Sequence, residues 1–451
     1  MNRNSRYRAR HNRRNLYIRR AIFAAIVLAL LAGLIVLIVH LASGSKEDPA
    51  KPQITLSTTA PTPEATDEPT QEPTTEPVTT DEPVATQTAA AAPAVQQQPS
   101  AAGGRSAHIR VLGDVMFHQE QLDMAKQPDG SYDFGIQFKY IADSIGAADY
   151  TIANLETTVG KYKDMKYSGY PQFNAPESVL PLLKDCGIDF FTLANNHMLD
   201  RWFDGLKNNV ALMEKYGFDY VGAYRSQAER DTPTIYEING IKVGFLAYTQ
   251  STNTMERTSD PAVKEYGVPY YSKSAVQKDV AALKEAGAEC IIALPHCGEE
   301  YKETPDDYQE SVFKTLAAAG VDIILGNHPH VVQSMGTVTG TDENGEYREV
   351  FYIWSIGNFI SAMTKEGTDC GIILDFTIEE LDNGRFVARD IGYVPIYVWK
   401  HGGLLTVLPI GSYSGSNRPD VMTDDEYNKM VARYNLIVET LGDTEYDVLA
   451  K

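Results

Sequence analysis

The stretch LANNHMLD, residues 193–200, places two side-chain amides, a histidine and an aspartate directly after an apolar run. A histidine and an aspartate three residues apart can act as a proton donor and the group that orients it. An asparagine oxygen beside them can bind a metal ion. The same stretch also fits a simpler role, because Asn195 is a good N-cap for a following helix. We therefore weigh two interpretations, a helix cap and a catalytic loop.

Similar polar groups follow the ends of the predicted strands. Those strands are residues 108–112, 150–153, 189–194, 289–295 and 321–325. The polar residues that follow them are, in order, Asp114; Asn154 and Glu156; Asn195, Asn196, His197 and Asp200; His296; and Asn327, His328 and His330. In an open α/β sheet, ligands bind at the carboxyl ends of the strands. We therefore expect these five groups to converge on one edge of the fold.

The residue types at this edge indicate a site for divalent metal ions. Histidine nitrogens together with carboxylate and asparagine oxygens suit Mn²⁺, Zn²⁺ or Fe²⁺. The sequence His328-Pro329-His330 can offer two imidazoles to one ion or one imidazole to each of two. Glu156 can bridge two ions about 3.5–4 Å apart. Taken singly, each of these residues is more often a turn, cap or core residue, so the prediction rests on their joint position.

Amphipathic stretches alternate with the strands and predict helices. They cover residues 135–146, 176–186, 203–216, 272–287 and 307–319, and several of them end in glycine, as helices often do. This alternation predicts an α/β fold. Within residues 234–248, Asn239-Gly240 predicts a hairpin with a type I′ turn. From residue 349 onward, apolar runs predict a strand-rich second sheet.

Six motifs in order resemble a known family. GDVMFH, ANLET, FTLANNHMLD, LPHCGEEY, GNHPHVVQ and SIGNF resemble the bacterial capsule-synthesis family of the CapA/PgsA type, which is linked to poly-γ-glutamate production. The resemblance covers roughly residues 107–400. That family is similar to the calcineurin-like metallophosphatases. The resemblance thus implies a metallophosphatase-like four-layer α/β/β/α sandwich with metal ions at the strand ends.

The resemblance also implies roles for single residues. The implied ligands of one or two divalent ions (Mn, Zn or Fe) are Asp114, Glu156, Asn196, His296, His328 and His330. His197 would be the acid near the leaving group, and Asp200 would hold the loop or orient His197. The implied substrate-binding residues are Asn154, His118, Glu299 and Asn358.

Three positions depart from the pattern that the resemblance implies. The Asp-x-His start of the metallophosphatases is Asp114-Val-Met116 here, so one ligand of the first metal is missing. Cys297 stands where the family usually has tryptophan, which should alter a pocket wall. His118 stands where arginine is common. We consider Glu299, Glu300 and Asp200 as carboxylates that could replace the missing ligand.

The first quarter of the chain has a different composition. Residues 1–20 hold eight arginines and no acidic residue, and the apolar run that follows spans about 28 Å as a helix, close to the ~30 Å core of a bilayer. We predict a cytoplasmic basic tail at 1–20, a transmembrane signal-anchor helix at 21–41, a disordered Pro/Thr/Glu-rich linker at 42–107 and a folded domain at 108–451. This gives a single-pass protein of the cell membrane, with the N-terminus cytoplasmic and the domain extracellular. A cleaved signal peptide is the alternative.

Charge and cysteine content narrow the function classes. Residues 108–451 contain 29 basic and 51 acidic residues, a formal charge of −22. So acidic a domain is a poor nucleic-acid binder, because phosphate backbones need basic partners. The four cysteines are too few for a disulfide framework, and either one or two bridges or buried free thiols remain open.

The leading hypothesis is a membrane-anchored extracytoplasmic metallophosphatase-like protein for capsule or poly-γ-glutamate synthesis, export or anchoring. Its expected partners are the membrane, other membrane subunits of a polymer synthase and an anionic envelope polymer. If the protein is catalytic, water would attack a phosphate ester or an acyl carbon and His197 would protonate the leaving group. Two alternatives remain: a non-catalytic metal-containing subunit of a synthase complex, and a stand-alone surface phosphodiesterase or nucleotidase.

Overall fold

The computed structural model describes residues 104–161, 165–341, 347–442 and 447–449. The predicted basic tail, the predicted transmembrane helix and nearly all of the predicted linker lie outside these residues. In the part of the chain that is described, no helix is both long enough and apolar enough to cross a bilayer.

The described residues form two large sheets, a small two-stranded sheet and several helices. The strands are β1 (Ser106–Val115), β2 (Tyr150–Leu155), β3 (Thr158–Val159), β4 (Asn174–Ala175), β5 (Phe190–Thr192), β6 (Asp219–Val221), β7 (Ile235–Ile238), β8 (Ile241–Thr249), β9 (Cys290–His296), β10 (Ile323–Leu325), β11 (Met335–Thr341), β12 (Tyr347–Ile353), β13 (Asn358–Ile360), β14 (Cys370–Glu380), β15 (Phe386–His401), β16 (Leu404–Pro409) and β17 (Asp447–Val448). The α-helices are α1 (Gln119–Ala125), α2 (Gly135–Phe138), α3 (Ala142–Ile145), α4 (Val179–Asp185), α5 (Trp202–Tyr216), α6 (Gln227–Asp231), α7 (Lys273–Glu285), α8 (Asp307–Ala319) and α9 (Asp424–Leu441).

The two large sheets are mixed, and each contains a run of parallel strands. The nine-stranded sheet has the order β16-β15-β14-β1-β2-β5-β6, with β13 beside β1 and β17 beside β15. Its strands β1, β2, β5 and β6 are parallel to one another. The six-stranded sheet has the order β11-β12-β10-β9-β8-β7, and β8, β9, β10 and β12 are parallel. Each sheet therefore presents several carboxyl strand ends along one edge.

Both faces of each large sheet are buried. In β1, Val111 belongs to the core between the sheets, whereas Leu112 belongs to the core under helices α1, α4 and α5. In β9, Ile292 faces the core between the sheets, and Ile291 faces the core under α7 and α8. This gives the layer order α/β/β/α. It also explains why β9 is an almost continuous apolar run, since neither face of that strand meets water.

Most of the predicted elements are present. The α/β class is confirmed, and the Asn239-Gly240 turn has left-handed φ values of 48° and 76°, as a type I′ turn requires. The predicted helix at 135–146 is instead two short helices, α2 and α3. The first strand begins at Ser106, two residues before the predicted start of the domain.

The predicted second sheet after residue 349 needs a correction. Strand β12 pairs with β10 in the six-stranded sheet, whereas β14 pairs antiparallel with β1 and extends the nine-stranded sheet. Alternation of apolar residues shows that a segment is a strand but does not show which strand it pairs with. The C-terminal strands thus complete both sheets and do not form one of their own.

The end of β1 makes a close backbone contact that depends on glycine. A Cβ atom at Gly113 would overlap the carbonyl oxygen of Gly357, and the register of β1 against β2 shifts at this point. The next residue, Asp114, donates its N–H to the same Gly357 oxygen at 3.1 Å. Because the obstacle is backbone, a side chain here forces the two segments apart.

We expect Gly113→Ala to lower the free energy of unfolding by about 1–3 kcal/mol, the usual cost of overpacking. A denaturant titration of the full-length chain measures this. Gly135→Ala in α2 is the matched control, because its Cβ would meet only the carboxylate oxygen of Asp133, the far end of a side chain that can shift. Equal losses in the two variants would contradict this explanation.

Candidate metal centre

The predicted site residues meet where the carboxyl ends of strands from both sheets come together. The nine-stranded sheet contributes Asp114 from β1, Asn154 from β2, Glu156 just after β2, and the loop Asn195–Asp200 after β5. The six-stranded sheet contributes His296 at the end of β9 and the loop after β10 that carries His328 and His330. Parallel strands in both sheets explain this convergence, since all of these ends point to one side.

The first group of possible ligands, which we term the carboxylate set, contains Asp114, Glu156 and His330. One ligand atom from each of the three lies within 4.8 Å of the others. The Nδ1 atom of His330 is 3.0 Å from Asp114 Oδ2, and its Nε2 atom is 3.8 Å from Glu156 Oε1. All three side chains are buried. Two carboxylate oxygens and one imidazole nitrogen are suitable ligand atoms for a divalent ion.

The second group, the imidazole set, contains Asn196, His296 and His328. His296 Nε2 lies 2.9 Å from Asn196 Oδ1 and 3.2 Å from His328 Nδ1. The same Nε2 atom is 3.6 Å from Glu156 Oε1. Glu156 Oε1 therefore lies within 3.8 Å of one histidine from each set and connects the two groups.

Two buried polar atoms in this cluster test whether a cation fits. In the described part of the chain, Glu156 Oε1 and Asn196 Nδ2 have no hydrogen-bond partner, although a buried polar atom normally has one. Burial, followed by the charge of Asp114, raises the pKa of Glu156 well above its usual value. Burial lowers the pKa of His296 to about 3, which keeps its imidazole neutral. Burial also lowers the pKa of His330, but the charge of Glu156 and the hydrogen bond to Asp114 outweigh burial and raise that pKa to about 9. A buried carboxylate oxygen without a hydrogen-bond donor, beside the neutral ring of His296, is a position that a metal ion fits.

Two of the predicted substrate-binding residues lie behind these ligand atoms. Asn154 Nδ2 donates to Asp114 Oδ1 at 2.7 Å and lies 3.3 Å from His296 Nδ1. Asn358 Oδ1 accepts from His330 Nδ1 at 3.0 Å, while its Nδ2 donates to the Thr368 carbonyl at 2.9 Å. Both asparagines are buried. These contacts indicate that the two asparagines orient the possible metal ligands. The contacts differ from the predicted contact with substrate.

His197 and Asp200 form a second unit beside the imidazole set. His197 Nδ1 is 2.7 Å from Asp200 Oδ2, which also accepts the Phe173 N–H at 2.6 Å. Burial lowers the pKa of His197, but its hydrogen bond to Asp200 and the nearby Glu156 charge outweigh this and raise it. The ring of Phe173 packs edge-on against His197, with 4.7 Å between centroids. Asp200 thus fixes the orientation of His197, and Nε2 is left as its second proton site.

The other two predicted substrate-binding residues differ in position. His118 lies beside the site, where its ring packs edge-on against Phe173 and its Nδ1 accepts from the Ala362 N–H at 3.3 Å. Glu299 is not part of the cluster, because its side chain is 63% exposed and its carboxylate lies 3.7 Å from Lys302 Nζ. Glu300 is the nearer acid. Burial raises its pKa, but a hydrogen bond to Tyr301 and the charge of His330 lower it overall.

The departures from the family pattern have structural consequences. Met116 is fully buried and offers no ligand. Cys297 packs in the core under α7 and α8, so it does not line a pocket wall as expected. All four cysteines are free and buried.

Backbone strain marks the mouth of the site, and no pattern in the sequence predicts it. Tyr301, His328 and His330 have left-handed φ values of 69°, 107° and 61°, which are unfavourable for residues other than glycine. Such strain concentrates at functional sites. Tyr301 stands in the LPHCGEEY motif, but as neither a metal ligand nor an acid it was not singled out. Phe173 was not singled out either, because nothing in the sequence around it indicates a place in the site.

Comparison with known proteins confirms the resemblance that the six motifs indicate. The chain is 24% identical over 320 residues to the capsule biosynthesis protein CapA of Bacillus anthracis, with 69% of each chain covered. It is 26% identical over 290 residues to the PGA biosynthesis protein CapA of Bacillus subtilis, covering 62% of this chain and 70% of that one. Among solved structures, it is similar to the calcineurin-like phosphoesterase YfkN from Bacillus subtilis, with a TM-score of 0.38, 15% identity and coverage of 75% of this chain and 99% of that one.

A family model described as "Bacterial capsule synthesis protein PGA_cap" matches residues 108–363, which is more than half of the chain. The matched range contains every ligand of the carboxylate and imidazole sets, as well as His197 and Asp200. The protein therefore belongs to the bacterial capsule synthesis family PGA_cap.

Proposed function

We propose that this protein is a membrane-anchored, extracytoplasmic, metal-dependent hydrolase that serves synthesis, export or anchoring of a poly-γ-glutamate capsule. Family membership and the names of its relatives, a capsule biosynthesis protein and a PGA biosynthesis protein, support the capsule role. The observation that carries the proposed chemistry is the Glu156 Oε1 atom, which lies near a histidine of each ligand set and has no hydrogen-bond partner among the residues that the structure describes.

The carboxylate set and the imidazole set would hold one or two divalent ions, with Mn, Zn and Fe as the candidates. Bound there, the metal would supply Lewis acidity and an activated water. Asn154 and Asn358 would keep Asp114 and His330 in the geometry that binding requires, since hydrogen bonds behind a ligand fix its orientation.

The residues of the chain supply the remaining steps. His197 would donate a proton from Nε2 to the leaving group of a phosphate ester or a γ-glutamyl amide. Asp200 would hold the imidazole through Nδ1 and stabilise its protonated form. Phe173 would exclude water from one side of His197. The raised pKa of His197 suits this role, because a general acid must carry its proton before the reaction.

The proposed location rests on the sequence outside the described residues. The helix predicted at 21–41 would anchor the chain, and the linker at 42–107 would hold the domain away from the bilayer. Other membrane subunits of a polymer synthase are the proposed partners, and the anionic polymer is the proposed ligand.

One observation favours a second candidate, a non-catalytic metal-containing subunit of the synthase complex. Met116 replaces a ligand that metallophosphatases provide, and no carboxylate among the described residues takes its place in the carboxylate set. A metal held there would be bound by fewer protein ligands. Such a site would stabilise the fold or bind polymer carboxylates without hydrolysing anything.

Replacing the shared carboxylate tests the metal centre. We expect Glu156→Gln to reduce bound transition metal at least about tenfold, because the neutral amide removes the anionic oxygen next to both sets. Elemental analysis of the full-length protein after mild purification measures the metal. Glu299→Gln is the matched control and should keep the wild-type content, since Glu299 lies outside the cluster. Wild-type protein without transition metal would contradict the proposed centre.

Two histidine variants separate catalysis from metal binding in cells. His328→Ala should lose both metal and polymer yield, because it removes a ligand of the imidazole set. His197→Ala should keep its metal but lower hydrolysis by about 10²–10⁴-fold, the contribution of a general acid. Polymer yield and hydrolysis of phosphoester and γ-glutamyl substrates are measured for each variant.

The combinations of results distinguish the candidates. Loss of polymer in His197→Ala supports the hydrolase. Normal polymer in His197→Ala together with lost polymer in His328→Ala supports the non-catalytic subunit. Normal polymer in both variants, with phosphoesterase activity lost, would contradict both capsule roles and indicate a stand-alone surface phosphodiesterase or nucleotidase.

A further inference from the structure

We propose that Lys365 and Tyr301 form a subsite for the carboxylate groups of an anionic polymer, directly beside the metal ligands. This inference rests on the proposed function and names a residue pair that would recognise the substrate. The two residues come from different loops, the LPHCGEEY loop after β9 and the segment 361–369 between β13 and β14, which we term the lysine loop.

The Lys365 ammonium is held in place but has no anionic partner. Its Nζ lies 3.6 Å from the centroid of the Tyr301 ring, close enough for a cation–π contact. The side chain is exposed, and among the described residues no carboxylate lies within ion-pair distance of it. The neighbouring Glu366 is paired elsewhere, with Arg433 Nη1 at 3.2 Å. Lys365 therefore keeps its charge available for a ligand.

Tyr301 places this charge next to the proposed metal centre. Its ring centroid is 6.1 Å from that of His330, a member of the carboxylate set. The Tyr301 N–H donates to the Pro329 carbonyl at 2.8 Å, which ties its backbone to the loop carrying His328 and His330. Lys365 Nζ therefore lies within about 10 Å of the His330 ring, so a polymer carboxylate bound by Lys365 would be near the proposed metal centre.

The lysine loop is fixed at its C-terminal end by groups from two directions. The Thr368 N–H and hydroxyl donate to the Lys365 carbonyl at 3.2 and 2.7 Å, closing a tight turn. The Thr368 carbonyl accepts from Asn358. The next residue, Asp369, accepts from Arg433 Nε at 2.7 Å and pairs with Lys429 Nζ at 2.6 Å, both from helix α9. A loop ordered before binding loses less entropy when the ligand arrives.

The negative charge of the domain explains why a cationic subsite would help an anionic polymer to bind. A domain of formal charge −22 repels a polymer that carries a carboxylate on every residue, so approach to the site needs a local cation. An unpaired lysine at the mouth supplies one, in addition to the charge of any bound metal. Lysine suits repeated carboxylates because its ammonium is a flexible point charge that does not demand one fixed geometry.

Binding of poly-γ-glutamate of uniform length to full-length, metal-loaded protein tests the subsite. We expect Lys365→Gln and Tyr301→Leu each to weaken affinity about 3- to 10-fold, the effect of one partly exposed charged contact. The double variant should be little weaker than either single variant, because the two side chains act together. Lys365→Arg should bind nearly as wild type, since arginine also stacks on tyrosine.

Lys242→Gln is the matched control, because it removes the same charge at the opposite end of the six-stranded sheet. Its affinity should equal that of the wild type, and high salt should shrink the Lys365→Gln effect. If wild type binds the polymer and Lys365→Gln binds equally well, the subsite is wrong while the proposed function stands. An equal loss in Lys242→Gln also overturns the subsite, since the effect is then one of net charge. Wild type that binds no polymer overturns the proposed polymer role itself.

Discussion

The structure depends on one buried carboxylate that the protein alone does not satisfy. Glu156 lies beside Asp114, His296 and His330, and its Oε1 atom has no hydrogen-bond donor among the described residues. Isolated charge in a protein interior is costly unless it is paired or binds a metal. Burial lowers the pKa of His296 and His328 and keeps both rings neutral, so neither offsets this cost. The pKa of His330 rises to about 9, because the charge of Glu156 outweighs burial, but His330 is shared with Asp114. An added cation would therefore stabilise this cluster of side chains. The surrounding fold holds the side chains in place even without a cation.

That requirement explains several features of the fold. Ligands from both sheets meet only if the carboxyl ends of β2 and β9 face each other, and the contact between Asn154 and His296 joins these two strands. The close approach of Gly113 to Gly357 sets Asp114 beside Asn358. The strained backbone at His328 and His330 aims two imidazoles from one short loop at different partners. Packing between the sheets maintains these positions, since the strands beneath them are buried on both faces.

The sequence predicts the parts of this site that depend on residue type and strand position. A polar residue directly after an apolar run indicates a strand end, which is why Asp114, Glu156 and His296 could be placed together. The position of a polar residue after a strand does not tell whether its side chain binds metal or substrate directly or supports a neighbouring side chain that does. Asn154 and Asn358 were therefore predicted to bind substrate. Glu299 and Glu300 are adjacent in sequence, and only the backbone turn at Tyr301 decides that Glu300 is the one near the histidines. Strand pairing after residue 349 was wrong for a similar reason, because pairing depends on distant partners.

Helix α9 shows how packing beyond the family-matched range reaches the site. This helix buries its Met430 and Ile437 in the core between the sheets. Its Arg433, however, binds Asp369, and the adjacent Thr368 carbonyl accepts from Asn358, whose Oδ1 accepts from His330. These contacts run in series from the C-terminal helix to a possible metal ligand. The same hydrogen bonds also fix the lysine loop. The positions of His330 and of the exposed Lys365 therefore depend on the same contacts.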